Sequence, residues 1–157
     1  MPSLAHPVER RLSLAEYVRR RTGRPLGAPG SLTAMLRRAF GANTLAGFWR
    51  YWNPIFGYGL SRFVYTPLRA WTSHGPALVV TFVVCGVLHD VVTMLVRRGA
   101  AFLFTPWFLI IGLAILIAER FSFTVRALPF VGRTAVHLAV LVSTFGIARL
   151  VERLLVA

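Results

Sequence analysis

The sequence predicts an all-α integral membrane protein: about three transmembrane helices preceded by amphipathic or re-entrant interfacial helices. Three observations predict it. Hydrophobic residues make up 56% of the 157 residues and charged residues only 15%, whereas soluble domains are about one quarter charged. Long apolar runs fill the second half of the chain. The eighteen basic residues, all Arg, face only five acidic ones and leave a formal charge of +13, the kind of surplus that collects on one side of membrane spans. This composition excludes disordered, collagen-like and coiled-coil classes. A single cysteine, Cys85, excludes a disulfide framework and a cysteine-rich zinc site.

The chain divides into a polar, Arg-rich N-terminal segment at 1–30 and a membrane domain at 31–157. Residues 1–30 contain no apolar h-region, so insertion is expected to use an internal apolar span. Ser13 followed by Glu16 forms a capping-box pattern for a short helix through Tyr17 and Arg21. Pro25 to Gly30 reads as a linker, and Ser31 as the cap of the next helix. There Leu32, Met35, Leu36, Ala39 and Phe40 share a helical stripe, with Arg37 and Arg38 off it. Such a helix suits either a bilayer surface, with Arg toward phosphates, or a protein core.

Gly41 to Thr44 is a break that ends in N-cap chemistry. Leu45 to Asn53 is dense in aromatics, and Pro54 disfavours helix at Asn53. Residues 55–71 continue the pattern with Arg62 and Arg69. Aromatics mixed with Arg are selected at membrane–water interfaces, so 31–71 is assigned to interfacial helices. Transmembrane helices are expected at 77–96, 101–118 and 134–151, each near the length that crosses ~30 Å of hydrocarbon. Eleven of the Arg precede residue 77. Together with the 119–133 connection, they place the N-terminus on the cytoplasmic side of a multi-pass protein in the cell (inner) membrane. Arg97 and Arg98 oppose that orientation. Nucleic-acid binding is the competing explanation of the basic half. It is set aside because apolar spans follow directly and no such motif is present.

The first span carries His89 and Asp90 among Val and Leu. An ionisable group at that depth costs roughly 2.5–3.5 kcal/mol on insertion scales, and such residues mark function more often than packing. Neutral imidazole accepts a proton near neutral pH. Neighbouring helix residues point about 100° apart, so Asp90 is not expected to orient His89 but to pair with an Arg or face the polar connection. Cys85 lies one turn before His89 on the same face. A Cys–His nucleophile pair competes there with a small-residue helix contact shared with Gly86. No nucleophile elbow, P-loop or dinucleotide fingerprint occurs. His6, His74 and His137 lack metal-ligand spacing and read as surface or interfacial histidines. Asn53, framed by Phe48, Trp49 and Trp52, is either a turn residue or an amide aimed into a pocket.

Phe48-Trp-Arg-Tyr-Trp-Asn53, Leu60-Ser-Arg-Phe63, Tyr65-x-Pro67-Leu68, Thr81-Phe82 and Cys85-Gly-Val-Leu-His89 together resemble the membrane-bound O-acyltransferase family. The resemblance runs from Asn43 to Thr93, the family's C-terminal catalytic portion. Family members are several times longer, with many spans before the aromatic segment. The resemblance implies acyl transfer from a thioester, usually acyl-CoA as co-substrate, to a hydroxyl acceptor. His89 aligns with the family's essential His and Asn53 with its second site residue. Trp49, Trp52, Arg62 and Tyr65 fall in the motif as substrate-binding candidates. His89 is then expected to act as general base and Asn53 to steady the donor or the oxyanion. No cofactor or metal and no nucleic acid is expected. The expected partners are membrane lipids, an acyl thioester, and a homo-oligomer or longer membrane partner supplying the chamber's other wall. A non-catalytic membrane subunit, and a proton or metal relay through His89 and Asp90, are the alternatives.

Overall fold

A computed structural model of the chain describes residues 12–100 and 102–156, and among them every regular element is helical. The start of the polar segment, His6 included, lies outside the described residues.

Helix α1 (Leu14–Thr22) opens on the Ser13 capping box: the hydroxyl accepts from Glu16 N–H, and the Glu16 carboxylate accepts from Ser13 N–H at 2.8 Å. Gly23, at φ 77°, stops it in the left-handed region that glycine enters without strain. Helix α2 (Ser31–Phe40) is capped by Gly30, one residue before the expected cap, and buries Ala39. Helix α3 (Leu45–Tyr51) starts at Thr44, whose Oγ1 accepts from Gly47 N–H at 3.0 Å.

Pro54 then acts as the sequence requires. The chain turns at Asn53 (φ 39°), and α4 (Pro54–Leu60) begins with the proline at its first position, where a missing N–H costs nothing. A π-helical turn, Ser61–Tyr65, joins α4 to α5 (Thr66–Arg69), which contains Pro67. Thr66 N–H reaches back five residues to Ser61. The widened turn lets the chain absorb a proline that would clash with the carbonyl four residues earlier.

Helices α6 (His74–Arg97) and α7 (Phe104–Arg120) form an antiparallel hairpin, and α8 (Phe130–Val156) packs on α7. The hairpin is close because glycine permits it. A Cβ on Gly86 would stand 2.6 Å from Thr105 Cα and 2.7 Å from the Phe104 carbonyl oxygen. Farther along, Gly112 sits against Phe82 and Val79. Ile111 and Ile115 of α7 meet Leu45 of α3 in one buried cluster, and Ala39, Ala42 and Phe48 form a second.

Both α6 and α8 are long and apolar enough to cross a membrane. Only 22% and 17% of their apolar windows are buried, so neither is the packed core helix of a globule. Large apolar side chains on their outer faces, such as Val92, Val96, Val142 and Leu150, are exposed. The helix at the second expected span, α7, starts later, at Phe104 rather than 101, continues through Glu119 and Arg120, and is not among the helices long and apolar enough to cross a membrane. It has 17 residues, about 25 Å at ~1.5 Å per residue. The first and third expected spans are lengthened at both ends.

The turn at 41–43 is stitched to the other end of the chain. Gly41 O accepts from Arg133 Nη1 (3.1 Å), Ala42 O from His137 Nε2 (3.0 Å), and Asn43 O from Val125 N–H (2.9 Å) and Thr124 Oγ1 (3.0 Å). Three consecutive carbonyls left free by the helix break are thereby satisfied, as buried backbone groups require. This corrects the expectation for His137: it is not a surface histidine but is 2% exposed, with its ring 5.2 Å from that of Phe48.

Candidate functional site

A cleft of about 330 Å³ runs along α6 between His74 and His89, walled by α3, α4, the π turn and α7. Those two histidines are fifteen positions apart, so the cleft follows about 22 Å of helix. It is lined by His89, Asn53, Trp49, Trp52 and Tyr65. Five of the six sequence-derived site residues therefore share one cavity. Arg62 does not line it. Its guanidinium donates to Tyr58 Oη at 2.7 Å and lies over the Tyr58 and Phe63 rings.

His89 is half-buried, with its ring 5.5 Å from Phe56, 5.4 Å from Phe104 and 5.2 Å from Phe108, centroid to centroid. Its Nδ1 is 2.7 Å from the Cys85 carbonyl oxygen. A carbonyl only accepts, so Nδ1 carries the proton and donates it, and the neutral ring keeps a lone pair on Nε2. Cys85 Sγ stands 3.9 Å from Nδ1, on the protonated edge of the ring. No base therefore faces the thiol, which argues against a Cys–His nucleophile pair. Gly86, beside it, makes the helix contact described above.

Asp90 corrects the sequence reading. Among the described residues it pairs with no Arg, and it faces the start of the next helix instead of the polar connection. It is 2% exposed, and its carboxylate accepts from Phe104 N–H (2.8 Å), Thr105 N–H (2.8 Å) and Thr105 Oγ1 (2.6 Å). A buried carboxylate on one helix thus caps the first turn of the next, where orphan N–H groups and the helix dipole favour negative charge. As expected from the helical angle, it does not touch His89. By fixing Phe104, it fixes one of the rings around the imidazole.

Asn53 caps α4: Oδ1 accepts from Phe56 N–H at 3.3 Å. The amide Nδ2 makes no hydrogen bond among the described residues, leaving two N–H donors on an exposed side chain at the cleft wall. Trp49 packs edge-on to Phe82 and tilted against Phe108, with both centroid distances 5.6 Å. Its buried Nε1–H has no acceptor among the described residues. An orphan donor costs about 1–3 kcal/mol and is uncommon in a folded interior. Trp52 stacks on Phe48 at 5.4 Å.

At the other end of the cleft, Tyr65 Oη lies 2.8 Å from His74 Nδ1, and His74 Nε2 lies 3.0 Å from Glu119 Oε2. This chain of three polar groups ties the π turn, the start of α6 and the end of α7 together. In the sequence His74 reads as a surface or interfacial histidine, and nothing near Glu119 marks a role for it. The two are 45 residues apart, and only the hairpin register brings them together. Phe56 and Phe108 were missed in the same way, since nothing local distinguishes a ring facing His89 from one facing lipid.

The arrangement places an imidazole that can accept a proton (His89) and an amide that can donate (Asn53) on the lining of one mostly apolar cleft. Among the described residues, no three His, Cys, Asp or Glu side chains gather as metal ligands. No family model, curated protein or solved structure matches this chain.

Proposed function

We propose that this chain is a membrane-bound O-acyltransferase-like protein, transferring an acyl group from a thioester donor, acyl-CoA, to a hydroxyl acceptor. The observation that carries the proposal is the Nδ1–H bond from His89 to the Cys85 carbonyl, which leaves Nε2 basic in the cleft shared with the Asn53 amide. In the proposed reaction Nε2 takes the acceptor's hydroxyl proton as the oxygen attacks the thioester carbonyl carbon. The carbonyl oxygen gains negative charge, and Asn53 Nδ2–H donates to it. The C–S bond then breaks, and the imidazolium returns the proton to the departing thiolate. No covalent acyl-enzyme is required.

The same proposal covers the membrane setting. Helices α6, α7 and α8 are taken as three spans of a multi-pass protein in the cell (inner) membrane, with the N-terminus cytoplasmic. The α3–Asn53–α4 turn is taken as a re-entrant hairpin. Its support is that Phe56, just past the turn, meets His89 deep on α6, while Tyr65, farther along, meets His74 at the start of that helix. Lipids are then both solvent and acceptor class, and a second copy or a longer membrane partner completes the chamber.

The test is acylation by the purified chain in lipid, with radiolabelled acyl-CoA and a panel of alcohols. Transfer is expected from the parent protein, with at least a hundredfold loss in His89→Gln, since general-base catalysis contributes ~10²–10⁴-fold. Transfer that survives His89→Gln removes the mechanism. A stoichiometric companion from native membranes, with assembly intact in His89→Ala and no transfer, supports the non-catalytic subunit instead.

A further inference from the structure

Beside the His89 cleft lies a second, larger one of about 730 Å³, at the end of the bundle where α7 stops and α8 begins. The two adjoin across Ala46, Arg50, Ile115 and Glu119, which line both. Its charge is one-sided. Arg37, Arg38, Arg50 and Arg133 line it with Glu119 as the one acidic residue, and Glu119 is bonded to His74.

The four guanidiniums are not equivalent. Arg38 donates to the Arg21 carbonyl at 3.0 Å, and Arg133 to the Gly41, Leu128 and Arg126 carbonyls at 3.1, 2.9 and 2.9 Å. These two are structural ties whose positive charge no carboxylate balances among the described residues. Arg37 and Arg50 are exposed, and their guanidiniums make no hydrogen bond or ion pair among the described residues. They stand in the last turns of α2 and α3. The helices that hold them are tied in place at the 41–43 turn between them, which is bonded to Val125, Thr124, Arg133 and His137. Two unpaired planar forks on a fixed frame, backed by two further positive charges, suit tetrahedral oxyanions with several acceptor oxygens.

We propose that this cleft is a phosphate-binding site in which Arg37 and Arg50 grip the phosphate while Arg38 and Arg133 supply background charge. The ligand class is a phosphate ester or pyrophosphate, either the headgroup of an anionic phospholipid or a free phosphate compound. The site adjoins the His89 cleft through Arg50, which lines both, but is separate from the proton transfer assigned to His89. Its position at the end of the long helices is where lipid phosphates meet a spanning protein.

The experiment uses the purified chain in phosphatidylcholine nanodiscs. In one arm inorganic pyrophosphate is titrated calorimetrically. In the other the discs are doped with phosphatidylglycerol, and retained lipid is read by native mass spectrometry. Arg37→Gln/Arg50→Gln is expected to weaken binding about a hundredfold, roughly tenfold per charged hydrogen-bonding group. Arg37→Lys/Arg50→Lys is expected to keep part of the affinity, and Arg97→Gln/Arg98→Gln, an equal charge loss at the opposite end of α6, to leave it unchanged. Saturable pyrophosphate binding identifies a free phosphate compound as the ligand. Retention of phosphatidylglycerol alone identifies a lipid headgroup. The proposal is overturned if neither probe binds, if the Gln pair binds like the parent, or if the Arg97/Arg98 variant weakens as much.

Discussion

Thr105 gives both its backbone N–H and its hydroxyl to one oxygen of Asp90, at 2.8 and 2.6 Å. The bond joins the middle of α6 to the first turn of α7. It decides where α7 begins, and with it the placement of Phe104 and Phe108 around His89.

Asp90→Ala removes three hydrogen bonds and leaves two N–H groups at a buried helix start without acceptors. The expected cost is about 1–3 kcal/mol, seen as a lower unfolding midpoint in detergent by circular dichroism. Asp90→Asn keeps an acceptor and should lose less. An Asp90→Ala midpoint equal to that of the parent would show that the cap carries no stability.

Gly86→Ala adds a Cβ at 2.6 Å from Thr105 Cα and 2.7 Å from Phe104 O. Backbone cannot yield as a flexible side chain can, so α6 and α7 must separate. Overpacking of this kind costs about 1–3 kcal/mol. Cysteine pairs placed across the hairpin should cross-link more slowly in Gly86→Ala than in the parent background. Unchanged cross-linking and unchanged stability would contradict the close approach.

Two substitutions at Asn53 separate its structural and chemical parts. Asn53→Gly accepts the φ of 39° without strain and removes the amide. Stability should fall by only a few tenths of a kcal/mol for the altered cap, while acyl transfer falls at least tenfold. Asn53→Ala should lose both, because it adds backbone strain and deletes the cap. Full transfer by Asn53→Gly would reduce Asn53 to a turn residue.

His137→Leu tests the stitch at the 41–43 turn. It leaves Ala42 O without its donor in a buried position, at an expected cost of about 1–3 kcal/mol. Binding of phosphate in the Arg37/Arg50 cleft should weaken through loss of the frame, while Arg37 and Arg50 remain. Thermal unfolding and the pyrophosphate titration measured on the same sample read both effects; no change in either would remove the framing role.

Much of the local structure was legible because it depends on near neighbours. The Ser13–Glu16 box, the Thr44 cap and the break imposed by Pro54 are decided within a few residues, and each is found where the sequence places it. Trp49, Trp52, Asn53, Tyr65 and His89, singled out in the sequence, line one cleft. The role of Asp90 was not legible. Its partners are backbone amides fourteen and fifteen residues away, and backbone amides carry no residue signature. His137 was misplaced for a related reason: a histidine's burial depends on which carbonyl faces it, and that carbonyl belongs to residue 42.

The sequence by itself determined that the chain is helical, where α1 and α3 start and where Pro54 breaks the chain, and that an imidazole lies deep on an apolar segment. Those properties are set by periodicity, capping chemistry and proline, all short-ranged. Only the tertiary structure decided which nitrogen of His89 is basic, which Arg are committed to carbonyls and which stay free, and that His74 meets Glu119. These depend on the register of α6 against α7 and on the stitching of the 41–43 turn to α8. Helix register is chosen by the closest packing of small residues over the whole interface, not by any short stretch of chain.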